Sequence, residues 1–338
     1  MKKILLLATL VLGMVSCMKD QSLDANLAGD GNFVLSVALP NEATRAAGTD
    51  SAKGAIDNGI LDEYDVRYTL EVYDVNDQLA KRDQHTVNSD KTSFELRLIP
   101  GRHYRFVVWA DFVKAGVDPY YNVANLREVS LTGTHNAMNE SRDAYTAVFN
   151  TAEDGDKEVF SSASSIEMTL TRPFAKLRVV AIDHNEIVGY STPTNVVVKF
   201  DTEHNPIYKT FNAINNEISN TCTTHEYEKY SVNPAPYKEY SATTDKGENI
   251  TGLVLFSDYI LAQRDGQQPV SFSMDIYDEN NAPIRSLDFE TQIPICRNHL
   301  TTIVGYCLTK KETIIVNIND TLLSNDEFNK DAEDVTQE

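Results

Sequence analysis

The chain has 338 residues, 41% of them hydrophobic, and its 30 Lys plus Arg against 50 Asp plus Glu give a formal charge of -20. That balance excludes a nucleic-acid binder working through a basic face, and the composition excludes a disordered, collagenous or polytopic membrane chain. At about 150 residues per domain the length predicts two domains, each able to bury a core without disulfide staples.

Lys2 and Lys3 precede an apolar run from Ile4 to Val15. The run is too short for a bilayer span, which needs about twenty residues, and reads as the h-region of a signal peptide over residues 1–16. Gly13-Met14-Val15-Ser16-Cys17 resembles a bacterial lipobox, which implies acylation of Cys17 and loss of everything before it. Several acyl chains hold a protein on a membrane where a single chain releases it. Losing the leader removes two Lys and no acid, so anionic lipid repels the body of the protein and anchoring falls to the acyl chains. Met18-Lys19-Asp20 is similar to the signal that sends Bacteroides-type lipoproteins to the outer face of the outer membrane. The expected location is therefore the outer membrane, lipid-anchored and surface-exposed, with residues 17–31 as a tether.

Beyond the tether the dominant pattern is alternation with period two, the mark of strands with one face in a core. Phe33 to Leu39 is apolar on both faces and reads as a buried strand, and Pro40 to Ser51 then runs polar and small as an exposed, protease-accessible loop. Val66, Tyr68, Leu70 and Val72 alternate with Arg67, Thr69, Glu71 and Tyr73 as a half-buried strand. Phe94, Leu96 and Leu98 lead into Pro100-Gly101, and Tyr104, Phe106 and Val108 run back, which reads as a hairpin. Ile166, Met168 and Leu170, then Ala175, Leu177, Val179 and Ala181, flank the break at Thr171-Arg172-Pro173, and Arg172 marks the domain junction. Further strands read at Val196 to Phe200, Leu253 to Leu261, Val270 to Ile276, Leu300 to Leu308 and Ile314 to Ile318.

Helical periodicity is confined to short candidates near Ala55 to Glu63, Asn136 to Tyr145 and Thr321 to Asp331. The expected fold class is all-β, two antiparallel β-sandwich domains over residues 32–165 and 166–319, followed by an acidic tail over 320–338. With Cys17 lipidated, Cys222, Cys296 and Cys307 are an odd set that cannot form a complete disulfide framework, and they read as small core residues. No Cys or His spacing suits a metal, and the acidic run Glu153 to Glu158 reads as a solvated turn. No nucleophile elbow, phosphate loop or dinucleotide fingerprint is present, so the expectation is a protein that is not an enzyme and uses no cofactor.

Several motifs in order resemble a known family: Thr44-Arg45-Ala46 after the first strand, Ile99-Pro100-Gly101-Arg102-His103-Tyr104 running into Val108-Trp109-Ala110-Asp111, and Tyr120-Tyr121-Asn122-Val123. With them go Leu126-Arg127-Glu128-Val129, Arg142-Asp143-Ala144-Tyr145, Leu170 to Leu177, and Arg297 to Ile303. The chain is similar to Bacteroides-type fimbrillin-like surface lipoproteins, related to type V pilins. The resemblance implies two transthyretin-like sandwiches and a structural or adhesive role in a fimbrium. In polymerising members a protease cuts after a basic residue in the loop following the first strand, and the C-terminal strand of the next subunit fills the vacated groove. On this sequence the matching position is Arg45, and the partners implied are other pilin subunits. The acidic end after Asp320 departs from a clean apolar donor strand.

Asp50-Ser51-Ala52 and Asp320-Thr321-Leu322 resemble the three-residue O-glycosylation signal of Bacteroides-type secreted proteins, which makes Ser51 and Thr321 candidate sites. The runner-up function is a monomeric surface lipoprotein that captures a host or other glycan ligand for an importer, with Trp109, Tyr120 and Tyr121 as candidate contact aromatics. Joint exposure of these three rings favours glycan capture, while an exchangeable strand favours subunit assembly. Taken alone, Trp109 reads as a core aromatic.

Overall fold

The computed structural model describes residues 32–40, 59–100, 102–132, 137–150, 164–186, 193–232, 240–243, 249–309 and 314–319. Strands are numbered in chain order. In the first sandwich a three-stranded sheet, β4 (Lys91–Arg97), β1 (Asn32–Ala38) and β9 (Ser164–Thr169), faces a four-stranded one, β3 (Leu79–Val87), β2 (Asp65–Asp74), β5 (Tyr104–Val113) and β8 (Ala144–Asn150). The second sandwich has one sheet of β15 (Tyr240–Thr243), β16 (Asn249–Leu261), β10 (Phe174–Ala181), β19 (Leu300–Gly305) and β20 (Ile314–Asn319). Its other sheet is β14 (His225–Ser231), β11 (Pro193–Phe200), β17 (Gln268–Asp278) and β18 (Pro283–Ile295). A small third sheet runs β13 (Glu217–Thr221), β12 (Tyr208–Asn212), β7 (Val129–Leu131), β6 (Tyr121–Asn122). The fold is the expected all-β class with two sandwiches.

The two sandwiches share one plan. β1 lies between an antiparallel partner, β4, and a parallel one, β9, just as β10 lies between antiparallel β16 and parallel β19. On the facing sheets the order β3-β2-β5-β8 matches β14-β11-β17-β18. The insertions differ: β6 and β7 fall between β5 and β8, and β12 and β13 between β11 and β14. These insertions pair with each other, Thr210 opposite Ser130 and Phe211 opposite Val129, so the third sheet ties one sandwich to the other.

Burial explains the junction beneath that sheet. Val107, Trp109, Tyr121, Leu126 and Val129 from the first sandwich pack with Phe174, Phe211, Tyr259 and Leu261 from the second in one apolar cluster. Around it run ion pairs withdrawn from water: Arg142 with Asp258, Lys176 Nζ with Glu140 Oε1 at 2.5 Å, and Arg172 Nε with Asp143 Oδ2 at 2.8 Å. Tyr259 donates its hydroxyl to Glu140 Oε2 at 2.5 Å, which satisfies an oxygen that burial would otherwise leave bare, and Tyr227 donates at 2.5 Å to Asp258 Oδ2, the oxygen that Arg142 also holds. Such pairs add little net stability against an apolar alternative but penalise any arrangement that separates their members.

Several expectations are corrected. Residues 94–108 form no hairpin: β4 bonds to β1 and β5 bonds to β2 and β8, so the connection through Pro100 crosses from one sheet to the other. Both strands turn their apolar residues to the same core, which two facing sheets satisfy as well as one folded ribbon. The boundary expected at 165/166 falls inside β9, which pairs in parallel with β1, and Leu170 still belongs to the first core. The first sandwich therefore closes at Thr171, whose backbone exchanges hydrogen bonds with Thr146. Thr69 and Glu71, read as solvent-facing, are 0% and 2% exposed, because the 121–131 segment covers the outer face of β2. Within the described parts of two expected helices stand only single 3-10 turns, Ile60–Asp62 and Glu140–Arg142, the second leading directly into β8. The third, Thr321 to Asp331, lies outside the described residues.

Candidate functional site

Two features could carry function, the seat of β1 and a polar cleft on the first sandwich. Phe33, Leu35, Val37 and Leu39 alternate along one face of β1 and are 0–4% exposed, while Val34, Ser36 and Ala38 on the other face are half-buried. Phe33 stacks on Phe106 of the facing sheet with ring centroids 5.1 Å apart. Along its length β1 is paired from Asn32 opposite Arg97 to Ala38 opposite Lys91, and on its other edge from Phe33 opposite Ser164 to Ala38 opposite Thr169. It is thus the middle strand of its sheet, and its absence would leave a slot between β4 and β9. The four buried side chains contribute about 6–12 kcal/mol as an upper bound, at about 1.5–3 kcal/mol each.

The cleft, of about 840 Å³, lies between the outer face of the β2–β3 hairpin and the 117–132 segment. The hairpin register puts Arg67, Thr69 and Glu71 beside Thr86, Gln84 and Arg82, so both arginines and Gln84 share one face. Asp74 at the turn accepts from the backbone N–H of Asn76 and of Gln78, and an irregularity between Val72 and Tyr73 then shifts the pairing by one residue to give that register. Arg67 grips Asp111 with Nε at 3.0 Å and Nη2 at 2.6 Å, and Nη2 also donates to the Tyr121 carbonyl at 3.0 Å. Arg82 pairs with Glu71 and donates to the Val123 carbonyl. Both arginines therefore stitch the 121–123 backbone onto the sheet while lining the cleft. Burial pushes the Asp111 carboxyl up to about 6, against the downward pull of Arg67. Burial likewise raises the Tyr73 phenol, whose hydroxyl donates to Glu71.

The structure separates the three candidate contact aromatics. Trp109 is fully buried in the junction, edge-on to Tyr121 at 5.3 Å and 6.0 Å from Phe211. Tyr121 is 2% exposed, its hydroxyl donated to the Arg142 carbonyl, though part of it reaches the cleft wall. Tyr120 is half-buried and lines the cleft. The three are thus not exposed together. Cys17, Arg45, Ser51 and Thr321 lie outside the described residues. Cys307 is buried, which pushes its thiol up to about 12; Cys222 and Cys296 are half-buried, and none of the three is in a disulfide. Among the described residues no cluster of His, Cys, Asp or Glu is arranged to hold a metal, and no helix is long and apolar enough to cross a membrane. Sequence reasoning missed Arg67, Arg82 and Gln84 because their meeting depends on a strand register that an irregularity between Val72 and Tyr73 shifts by one residue, so counting back from the Asp74 turn places other residues there.

These features define a double β-sandwich protein whose halves are fused by a shared sheet and a buried ionic junction. The chain belongs to DUF6562, a family of unknown function, whose model matches residues 25–338. No curated protein matches it by sequence. Among solved structures it is similar to a candidate adhesin from Bacteroides thetaiotaomicron, at 15% identity over 87% of this chain and 98% of that one, with a TM-score of 0.43. A fimbrial assembly protein from Parabacteroides distasonis matches at 11% identity over 86% and 96%, with a TM-score of 0.42. The fimbrial anchor protein Mfa2 from Porphyromonas gingivalis matches at 10% identity over 85% and 96%, with a TM-score of 0.37.

Proposed function

We propose that the chain is a non-catalytic, fimbrillin-like surface lipoprotein, a structural or adhesive component of a fimbrium, in which β1 is an exchangeable strand. The observation that carries this reading is the seat of β1: a middle strand with one face fully buried, followed in sequence by the basic position Arg45. A cut between β1 and β2 leaves β1 held to the sandwich by non-covalent contacts alone. Its departure would open two sheet edges and an apolar slot, the template for a strand donated by another subunit. The lipobox-like segment supports acylation at Cys17, anchoring in the outer membrane and display at the cell surface; Ser51 and Thr321 are proposed O-glycosylation positions. The importer-linked glycan-capture reading predicts that Trp109, Tyr120 and Tyr121 are exposed together, and two of them are in the core.

Limited trypsinolysis of the folded protein, beside an Arg45→Ala variant, tests the proposal. The expected first cut in wild type is at Arg45, absent from the variant, and release of β1 is expected to drive self-association or to lower stability by up to about 6–12 kcal/mol. A first cut elsewhere refutes it, as does a cleaved protein that loses β1 yet stays monomeric at unchanged stability.

A further inference from the structure

We propose that the cleft between the β2–β3 hairpin and the 117–132 segment is a binding site for a neutral oligosaccharide. The proposal goes beyond strand exchange and does not rest on it, since the cleft lies on the sheet facing away from β1.

The hydrogen-bonding capacity left over in the cleft points to this ligand. Arg67 spends Nε and Nη2 on Asp111 and the Tyr121 carbonyl, which leaves Nη1. Arg82 spends one N–H from each terminal nitrogen on Glu71 and the Val123 carbonyl, which leaves Nε–H and one N–H on each terminal nitrogen. Gln84 accepts from the Thr69 hydroxyl through Oε1 at 3.3 Å, which leaves both hydrogens on Nε2. Asn122 accepts from the Ala124 backbone through Oδ1 at 3.0 Å, which leaves Nδ2. Each amide oxygen thus already accepts one bond within the protein, and what these four side chains chiefly keep for a ligand is N–H donors. With the Asp118 carboxylate as an acceptor on the same wall, a complementary ligand presents many acceptor oxygens together with some hydroxyl donors.

Charge and shape narrow the class. Each guanidinium already has its own carboxylate, Asp118 adds a negative charge to the wall, and the chain carries -20. An anion would enter against that field with no uncompensated cation to meet it. Hydroxyl and ring oxygens of a neutral sugar accept from the same donors without that opposition. Tyr120 supplies the apolar surface that sugar C–H faces require, its ring held in place because its hydroxyl accepts from Asn139 Nδ2 at 2.7 Å and Ser141 Oγ at 3.2 Å. The volume of about 840 Å³ falls within the range of small-ligand sites, about 300–1,000 Å³.

The test uses an array of short neutral hexose and N-acetylhexosamine oligosaccharides with matched uronate oligosaccharides, followed by calorimetry on the neutral compounds bound. Gln84→Glu replaces the donor amide by an acceptor of the same shape and keeps the partner of the Thr69 hydroxyl, while Gln84→Ala removes both; the side chain itself is exposed. Wild type is expected to bind a subset of the neutral compounds, and each variant to bind them about tenfold more weakly, Gln84→Glu at an unchanged melting temperature because it keeps the acceptor for Thr69. Absence of neutral binding, binding of uronates alone, or binding by either variant as tight as that of wild type overturns the proposal. None of these outcomes changes the trypsinolysis result expected for β1, so the two readings fail separately.

Discussion

Arg142→Ala removes the cation that faces Asp258 across the junction between the sandwiches. Both residues are withdrawn from water, with side-chain exposures of 2% and 0%. Breaking a buried pair by deleting one member costs about 3–5 kcal/mol, because the remaining charge keeps its desolvation penalty without its partner. Asp258 retains only the Tyr227 hydroxyl as a side-chain donor, and its Oδ1 has no partner among the described residues. The predicted loss is therefore in the upper part of that range at neutral pH. Trp109 is the only tryptophan of the chain and sits in the junction cluster, so its fluorescence reports junction opening while far-UV circular dichroism reports the sheets. With a urea slope of about 3 kcal/mol/M, the loss moves the fluorescence midpoint down by about 1–2 M.

The pH dependence has a definite sign. Burial pushes the Asp258 carboxyl up, and Arg142 beside it pulls it down. Without Arg142 the folded-state value rises further above the unfolded one. A raised carboxyl contributes stability that is present below its unfolded value and lost as pH rises through its folded value. The gap between wild type and Arg142→Ala therefore narrows on acidification. Adding Asp258→Asn keeps an acceptor for Tyr227 and removes the stranded charge, so the double variant is expected to recover about 2 kcal/mol or more. A midpoint shift below about 0.3 M, less than about 1 kcal/mol, or strict additivity in the double variant, would show that the pair does not hold the junction.

The remaining predictions concern single positions. Asp111 is raised to about 6 by burial, so wild type should gain stability relative to Asp111→Asn as pH falls through about 6 toward 4, by at most about 3 kcal/mol. Urea titrations of both proteins at the two ends of that window check it, and a pH-independent difference contradicts it. Gly252→Ala places a methyl 2.5 Å from Val180 Cγ1 and 2.9 Å from the Ala181 carbonyl oxygen, beside the irregularity in the pairing of β10 with β16. The carbonyl cannot step aside, so a loss of about 1–3 kcal/mol is expected; an unchanged or raised melting temperature would refute the close approach.

Most of the core was legible because period-two alternation is a direct readout of one-sided burial. Val66, Tyr68, Leu70 and Val72 were read as core and are all 0–1% exposed, as are Val196, Val270, Phe272, Met274 and Ile276. The failures share a cause. Glu71, buried beneath the 121–131 segment, and Asp258, buried at the junction, are ionic residues of strands, and a charged letter in an alternating strand signals solvent unless its partner is known. Those partners come from strands that only the folded topology brings near: Glu140 meets Lys176, and Arg142 meets Asp258, 116 residues away. The β3 and β14 edges escaped reading for a related reason. Their sequences, LAKRDQHTV and HEYEKYS, carry the mixed polarity of strands with one open edge.

The shared plan of the two sandwiches bears on why β1, and not its counterpart β10, is the strand proposed to move. Each is flanked by one antiparallel and one parallel neighbour, so the backbone pairing does not distinguish them. Their chain connections and outer faces do. One cut between β1 and β2 frees β1 from everything that follows it, whereas β10 is continuous with the first sandwich through Arg172 and with its own sandwich on the other side. β1 also leaves Val34, Ser36 and Ala38 half-buried, while all eight residues of β10 are buried. Lys176 and Arg178 of β10 are held by Glu140 and by Thr302. Withdrawing β10 would strand those partners and open the junction; withdrawing β1 costs apolar burial that a second apolar strand can restore.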